Sequence, residues 1–495
     1  MKRINKLSSQ HLIILIALLL LAGFLRLYRI DLLMRFVWDE GRDMLAIRKI
    51  IVDQDITLMG PFNEMDGKKD FFGVFHYYLM LPALYLANFN PVGPAIFTAI
   101  LGVFAVALAY FWLSQWLKKK DALAVTSLLA VSPLVVRYNQ WPWNPNTVGF
   151  FTMVYFIAIY FYQNKTKFSN KLFFASLAGL SLGLLFQLHY FSIAVGIIYL
   201  VIFIKQKRKD WLSLLLFSLL AILPNLTFLI FDITHEGFYR KIIFESLLGE
   251  SKQNFVSFSL FGIILGPIQY MFGVISDFFG SWVLGTLFSF VWFIYLIKIV
   301  RKFIKEFTKT KYLDEQSQLI ISWVFFLILT SLFPSLLDNY HSATLWIGIA
   351  IPVVLFLKQL FKKKYLYISI PLIIYLIYAN HFWRQPTWME NMPKLQRVGE
   401  VIANDMKGQT SDQINIASFV DSDTRATRFR YFVDVHDQQL LTYYQYPQTE
   451  ILYAITPHSW AETIENPVWE VETFQEASAS VIWEEGEWRI YRVSK

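Results

Sequence analysis

The sequence predicts a mainly α-helical, polytopic membrane protein, with a small α/β domain following its last span. Three observations carry this prediction. Hydrophobic residues make up 56% of the chain, with 46 Phe, 26 Tyr and 16 Trp, more apolar surface than a soluble fold of this size can hide. These residues fall in long runs, and about 20 apolar helical residues cross the hydrocarbon core. Short basic clusters separate the runs, as expected for cytoplasmic loops. The net charge of +8 therefore reflects membrane topology, and nucleic acid is not an expected partner. The absence of cysteine excludes disulfide frameworks, Cys-ligated zinc and iron–sulfur clusters.

Lys2, Arg3 and Lys6 precede the first apolar run, so the N-terminus is expected in the cytoplasm. That run is long for a signal peptide and has no A-x-A-like site at its end. The other basic clusters are Lys118–Lys120, Lys165 to Lys171, Lys205–Lys209, Lys298–Lys311 and Lys358–Lys364. Placing them all inside predicts about 11 spans, near 12–30, 92–117, 121–137, 147–163, 172–188, 190–204, 211–231, 282–300, 319–337, 343–360 and 365–382. Residues 254–275 are apolar enough to span, but counting them would invert the next clusters. They are expected to be interfacial or re-entrant. Domain one is thus 1–382, with a first outer loop at 31–91, and domain two is 383–495, outside an inner or plasma membrane.

The first outer loop holds RFVWDEGRDMLAIRKIIVDQD, with Met44, Ile47 and Ile51 on one helical face. This predicts an amphipathic helix lying in the interface plane. Asp39, Glu40, Arg42 and Asp43 stand at its start, where capping alone could account for the acids. Farther along, Lys68 and Lys69 precede His76, Tyr77 and Tyr78. Lysines and rings there are either interface anchors or a site for a lipid phosphate and its first isoprene units.

The second outer loop, Arg137 to Asn146, is dense in amides and rings, including Trp143, Asn144 and Asn146. Its two prolines make it stiff and non-helical. A third turn carries Gln187, His189 and Tyr190, and a fourth carries Asp232, His235, Glu236, Arg240 and Lys241. Polar side chains at such depth are costly and mark substrate sites, so these loops together predict a cavity opening outward.

Beyond Arg384 the chain becomes soluble in character. Leu395, Val398, Val401 and Ile402 predict an amphipathic helix, and strands are expected at 414–420, 451–456, 468–474 and 488–493. The charged DSDTRATRFRYF stretch is expected to be a solvated helix face.

WDEGRD in a long first outer loop, followed by Arg137…WNPN, the Gln-x-His turn and Asp-x-x-His, resembles the GT-C integral-membrane glycosyltransferases. The likeness is to glycosyltransferase family 39, with its protein O-mannosyltransferases and aminoarabinose–lipid A transferases, over roughly the first 250 residues. The resemblance implies a membrane enzyme that transfers a hexose or pentose from a polyprenyl-phosphate-linked donor, with inversion, to a lipid, glycan or protein acceptor. It implies Asp39 as the catalytic carboxylate with Glu40 beside it. The donor phosphate would meet Lys68, Lys69, Arg137 and Arg240. The substrate would meet Arg42, His76, Tyr77, Trp143, Asn144, Asn146, Gln187, His189, Asp232 and His235. Asn144 stands where the protein mannosyltransferases have a second acid, which argues against a protein acceptor. A divalent cation at Asp39, Glu40 and His235 is compatible with the sequence but not required by it. Two alternatives remain. One is a lipid-linked glycan polymerase or ligase, for which a long outer loop late in the chain would be expected. The other is a lipid-linked glycan transporter, for which two similar halves would be expected.

Overall fold

The computed structural model describes residues 9–65, 68–164, 167–206, 210–248, 260–307, 309–310, 312–331, 338–387, 391–465, 468–475 and 477–495. The chain divides into two compact units. The first comprises Met1–Tyr28, Thr57–Leu79 and Ala95–Arg384; the second comprises Arg29–Ile56, Met80–Pro94 and Gln385–Lys495. The division is not a single cut near residue 382, because two stretches of the first outer loop belong with the C-terminal segment.

The first unit is a helical bundle. Five described helices are long and apolar enough to cross a membrane, namely Ser9–Leu27, Val92–Trp116, Phe168–Leu188, Trp211–Thr234 and Trp282–Glu306. A sixth candidate, Asn339–Leu345 with Ile347–Ala379, is bent by 67°. The other expected spans correspond to shorter or broken helices. The one expected at 121–137 breaks at Ser132, between Lys119–Val131 and Pro133–Tyr138. Pro133 has no N–H to continue the helix and disfavours helical geometry at Ser132. From Leu260 onward, the stretch expected to be re-entrant is an unbroken helix to Phe279. It turns at Gly280 (φ 57°) and packs on Trp282–Glu306; residues 254–259 lie outside the described residues.

Small residues set the closest helix approaches. A Cβ on Gly179 or Gly183 would sit 2.1 Å from the Phe217 carbonyl oxygen or 2.4 Å from that of Ala221. This spacing, small residues four apart, lets helices approach where burial in lipid offers no hydrophobic drive.

In the second unit, a four-stranded sheet runs in the order Ile414–Ser418, Ile451–Thr456, Trp488–Ser494, Ser478–Glu485. The first pair is parallel and the others antiparallel. Three of the four expected strands are present. Residues 468–474 instead form a turn and a short 3-10 stretch that buries Val471 and Phe474. The fourth strand is Ser478–Glu485, an edge strand closed into a hairpin by Gly486 (φ 65°).

The helix Met392–Met406 buries Leu395, Val398 and Ile402, as its period predicts. The charged stretch does not form a solvated face. Its helix Thr427–Val435 buries Arg428 and Arg430 along with Phe429, Tyr431 and Phe432. Arg428 pairs with Asp421 at 2.9 Å, and Arg430 donates to the Leu441 carbonyl and the Tyr446 hydroxyl. Buried guanidiniums persist because they are paired.

Candidate functional site

In the first unit the second outer loop is held by its own amides. Arg26, buried at the end of the first helix, donates to Asn139 Oδ1 (3.1 Å) and to the Ala130 carbonyl (2.9 Å). Gln140 reaches the Leu25 carbonyl, Asn144 the Leu188 carbonyl (2.7 Å) and Asn146 the Trp141 carbonyl (2.9 Å). Asn144 therefore ties the second loop to the third turn. It is 1% exposed and braces the two loops. Asn146 is likewise buried, beside a cavity of about 60 Å³ lined by Gly102, Val106, Asn139, Thr147 and Trp346. That void is far smaller than the several hundred cubic ångströms of a ligand pocket.

The third turn is braced in the same way. Both ends of the Gln187 amide are committed: Oε1 accepts from the Phe75 N–H, and Nε2 donates to the Pro224 carbonyl and Thr227. Gly73 lies against it, and a Cβ there would fall 2.0 Å from Gln187 Oε1. Gln187 thus ties the third turn to its neighbours.

What these ties assemble is a wall of rings. Phe72 stacks on Tyr190 (5.4 Å between centroids) and on His189 (5.6 Å). His189 meets Tyr340 at 5.5 Å and His341 at 4.9 Å. Trp143 meets Tyr340 at 4.5 Å, and Tyr138 packs on Trp346. Three outer loops and the segment 338–346 therefore meet. Sequence reasoning missed that last segment, although Asp338, Asn339 and His341 between two apolar runs was a readable signal. His341 Nδ1 accepts from the Asp338 N–H, which fixes its ring. His189 is 2% exposed, and neither of its ring nitrogens has a hydrogen-bond partner among the described residues. Arg137, at the loop's start, is exposed, with no side-chain hydrogen bond among the described residues.

The other expected contacts lie differently. His76 and Tyr77 are buried in the helix Phe75–Leu86 and are not presented on this wall. Lys68 and Lys69 lie in the strand Lys68–Phe71, with side chains outside the described residues. Arg240 is engaged, its Nε donating to Asp232 Oδ2 at 2.5 Å and its N–H to Oδ1 at 3.0 Å. Exposed His235 stacks on Phe231 at 3.8 Å. Among the described residues no cluster of three His, Asp or Glu is arranged for a metal ion.

In the second unit the helix Trp38–Val52 packs on Thr427–Val435. A Cβ on Gly41 would lie 2.6 Å from the Arg428 Cα. Arg48 pairs with Asp434 (2.9 Å) and Asp437 (2.6 Å). On the face expected to lie on lipid, Met44 and Ile47 are buried and Ile51 half-buried, so protein covers much of it.

The two adjacent acids part company. Glu40 is buried, and its Oε2 accepts the Val37 N–H at 2.9 Å. It caps the helix start, and burial, with the Asp39 charge, pushes its carboxyl up to about 8. Asp39 keeps partial access and accepts from Arg42 at 2.8 Å, while Arg42 also holds Asp43 at 2.7 Å. The capping reading thus falls on Glu40. A carboxyl with a raised folded pKa binds more protons folded than unfolded. Stability is therefore expected to fall as pH rises from about 4.5 to about 8, and Glu40→Gln should flatten that slope in thermal unfolding across pH.

Residues 73–228 match the family model described as dolichyl-phosphate-mannose-protein mannosyltransferase, less than half of the chain. ArnT from Cupriavidus metallidurans, in a crystal structure bound to undecaprenyl phosphate, superposes with a TM-score of 0.55 at 12% identity, covering 98% of each chain. This chain shares the ArnT fold. The Archaeoglobus fulgidus oligosaccharyltransferase, in complex with Zn and sulfate, superposes at 0.50 with 12% identity, covering 89% of this chain and 67% of that one. No curated protein matches the chain. The match over 73–228 supports the family resemblance read from the later loops, and the ArnT fold supports a multi-pass membrane protein.

Proposed function

We propose that the protein is an integral-membrane glycosyltransferase. It would move a sugar from a polyprenyl-phosphate carrier to a hydroxyl-bearing acceptor on the outer side of a cell membrane. The observation that carries this reading is the split between Asp39 and Glu40. Neighbouring carboxyls in unlike surroundings suit an acid–base division, and here Glu40 is the buried cap, its carboxyl pushed up to about 8, while Asp39 keeps partial access and pairs with Arg42. The match over 73–228 supports this reaction class, and the ArnT fold is compatible with it.

In the proposed step the acceptor oxygen attacks the anomeric carbon as the bond from that carbon to the phosphate oxygen breaks. Asp39 takes the acceptor proton, and the carrier leaves as a phosphate monoester, its growing charge met by Arg137. A single displacement inverts the anomeric centre. The ring wall around Tyr190, Tyr340 and Trp143 offers flat faces to the C–H groups of a sugar and keeps water out. On this reading the basic loops face the cytoplasm and residues 383–495 lie outside.

Arg137→Ala is expected to raise the donor KM about 10- to 100-fold, the worth of a charged hydrogen bond. Its exposure, with the loop held by Asn139 and Asn144, predicts unchanged accumulation and unfolding. Donor titrations on the purified variant measure both; failure to accumulate would make Arg137 structural.

A further inference from the structure

The helix Ser9–Leu27 ends on a buried ion that no acid balances. Arg26 is 0% exposed. Among the described residues it bonds only to the Asn139 amide oxygen and the Ala22 and Ala130 carbonyls, with no carboxylate. Its Nη2 has no hydrogen-bond partner among the described residues. Closing the neighbouring helix ends does not require a charge. The Val131 carbonyl, next to that of Ala130, is met by the neutral Asn380 amide at 2.8 Å. The Leu25 carbonyl is met by the neutral Gln140 amide at 3.1 Å. A buried ion costs far more than a buried amide, and an ionisable side chain among apolar helices points to a functional site.

What Arg26 fastens is the base of Arg137. Its Nε bonds Asn139 Oδ1 at 3.1 Å. Gly102 leaves room for that amide, since a Cβ there would fall 2.4 Å from the same oxygen. Asn139 is the C-cap of the short helix Pro133–Tyr138, whose last turn carries Arg137. The Gln140 N–H donates to the Arg137 carbonyl at 3.0 Å. At the other end of that helix the Ser132 hydroxyl donates to the Phe278 carbonyl at 2.8 Å. The exposed Arg137 side chain thus extends from a backbone tied on both sides.

We infer that Arg26 is a positioning residue of the phosphate site: through Asn139 it fixes the backbone that carries Arg137, and its buried charge favours an anion there. This rests on Arg137 as the phosphate-binding group proposed above. The guanidinium fork makes its bonds in a fixed geometry that a lysine nitrogen does not reproduce. A buried charge is also screened by salt much less than an exposed one.

The test is equilibrium binding of farnesyl phosphate to the purified full-length protein, with farnesol as the uncharged control. The ratio of the two affinities does not depend on how much of a variant is folded. Arg26→Gln is expected to lower farnesyl phosphate affinity about three- to thirtyfold, within the range for groups coupled through one hydrogen-bond network, and to leave farnesol unchanged. Arg26→Lys, which keeps the charge, should recover part of that loss. Asn139→Ala cuts the tie while Arg26 keeps the Ala22 and Ala130 carbonyls, and should show the same selective loss; it carries the test if Arg26→Gln does not accumulate. In an Arg137→Ala background the loss from Arg26→Gln should shrink. An unchanged ratio in Arg26→Gln or Asn139→Ala, with Arg137→Ala still lowering it, overturns the positioning role alone. So does a lysine no better than glutamine, or a loss undiminished without Arg137. No effect of Arg137→Ala would remove the phosphate-site reading as well.

Discussion

Asp39→Asn is expected to lower transfer by about 10²- to 10⁴-fold, the usual contribution of a positioned general base, with folding and membrane insertion intact. The neutrality of the change for stability follows from the division of labour at the helix start. Glu40, not Asp39, accepts the Val37 N–H, and Arg42 retains its bond to Asp43 when Asp39 loses its charge. Asparagine keeps an acceptor for Arg42 but cannot take a proton from an attacking hydroxyl. Turnover of a polyprenyl-phosphate sugar by purified variant and wild type measures this. Near-normal turnover would remove Asp39 from the chemistry.

Gly41→Ala should lower the stability of the second unit by about 1–3 kcal/mol, the range for an overpacked contact. On helix propensity alone the substitution would stabilise by roughly 1 kcal/mol. Packing reverses the sign, because the new methyl would stand 2.6 Å from the Arg428 Cα and 2.8 Å from its nitrogen. Those are backbone atoms that no rotamer change can move. The two helices must separate, and the bonds from Arg48 to Asp434 and Asp437 loosen with them. Thermal unfolding and limited proteolysis of the 385–495 stretch read the effect; a more stable variant would mean the helices do not touch at Gly41.

Much of this architecture was legible because hydropathy and basic loops report directly on a membrane. The polar loops at Arg137–Asn146 and Gln187–Tyr190 were legible for the same reason, since amides and rings between apolar runs need an explanation. What the pattern could not reveal is which end of an amide is already occupied. Asn144 and Gln187 read as ligand contacts, and the fold engages their amides in braces between loops. The period of Met44 and Ile47 announced an apolar face but not its cover, which is the protein's own helix and not lipid. Arg428 and Arg430 read as solvated because charge usually is; their burial depends on partners 7 to 16 residues away in sequence. The segment 468–474 has the apolar content of a strand, but it fills the core as a turn beside the sheet.

The most direct measurement incubates the purified protein and its Asp39→Asn variant with a membrane extract and three radiolabelled donors: polyprenyl-monophosphate sugars, polyprenyl-diphosphate oligosaccharides and nucleotide sugars. Label passing to an acceptor from the monophosphate-linked sugar alone, and only with the native carboxylate at position 39, is the predicted result. Transfer from the diphosphate or nucleotide donors, or equal transfer by both proteins, would contradict the account.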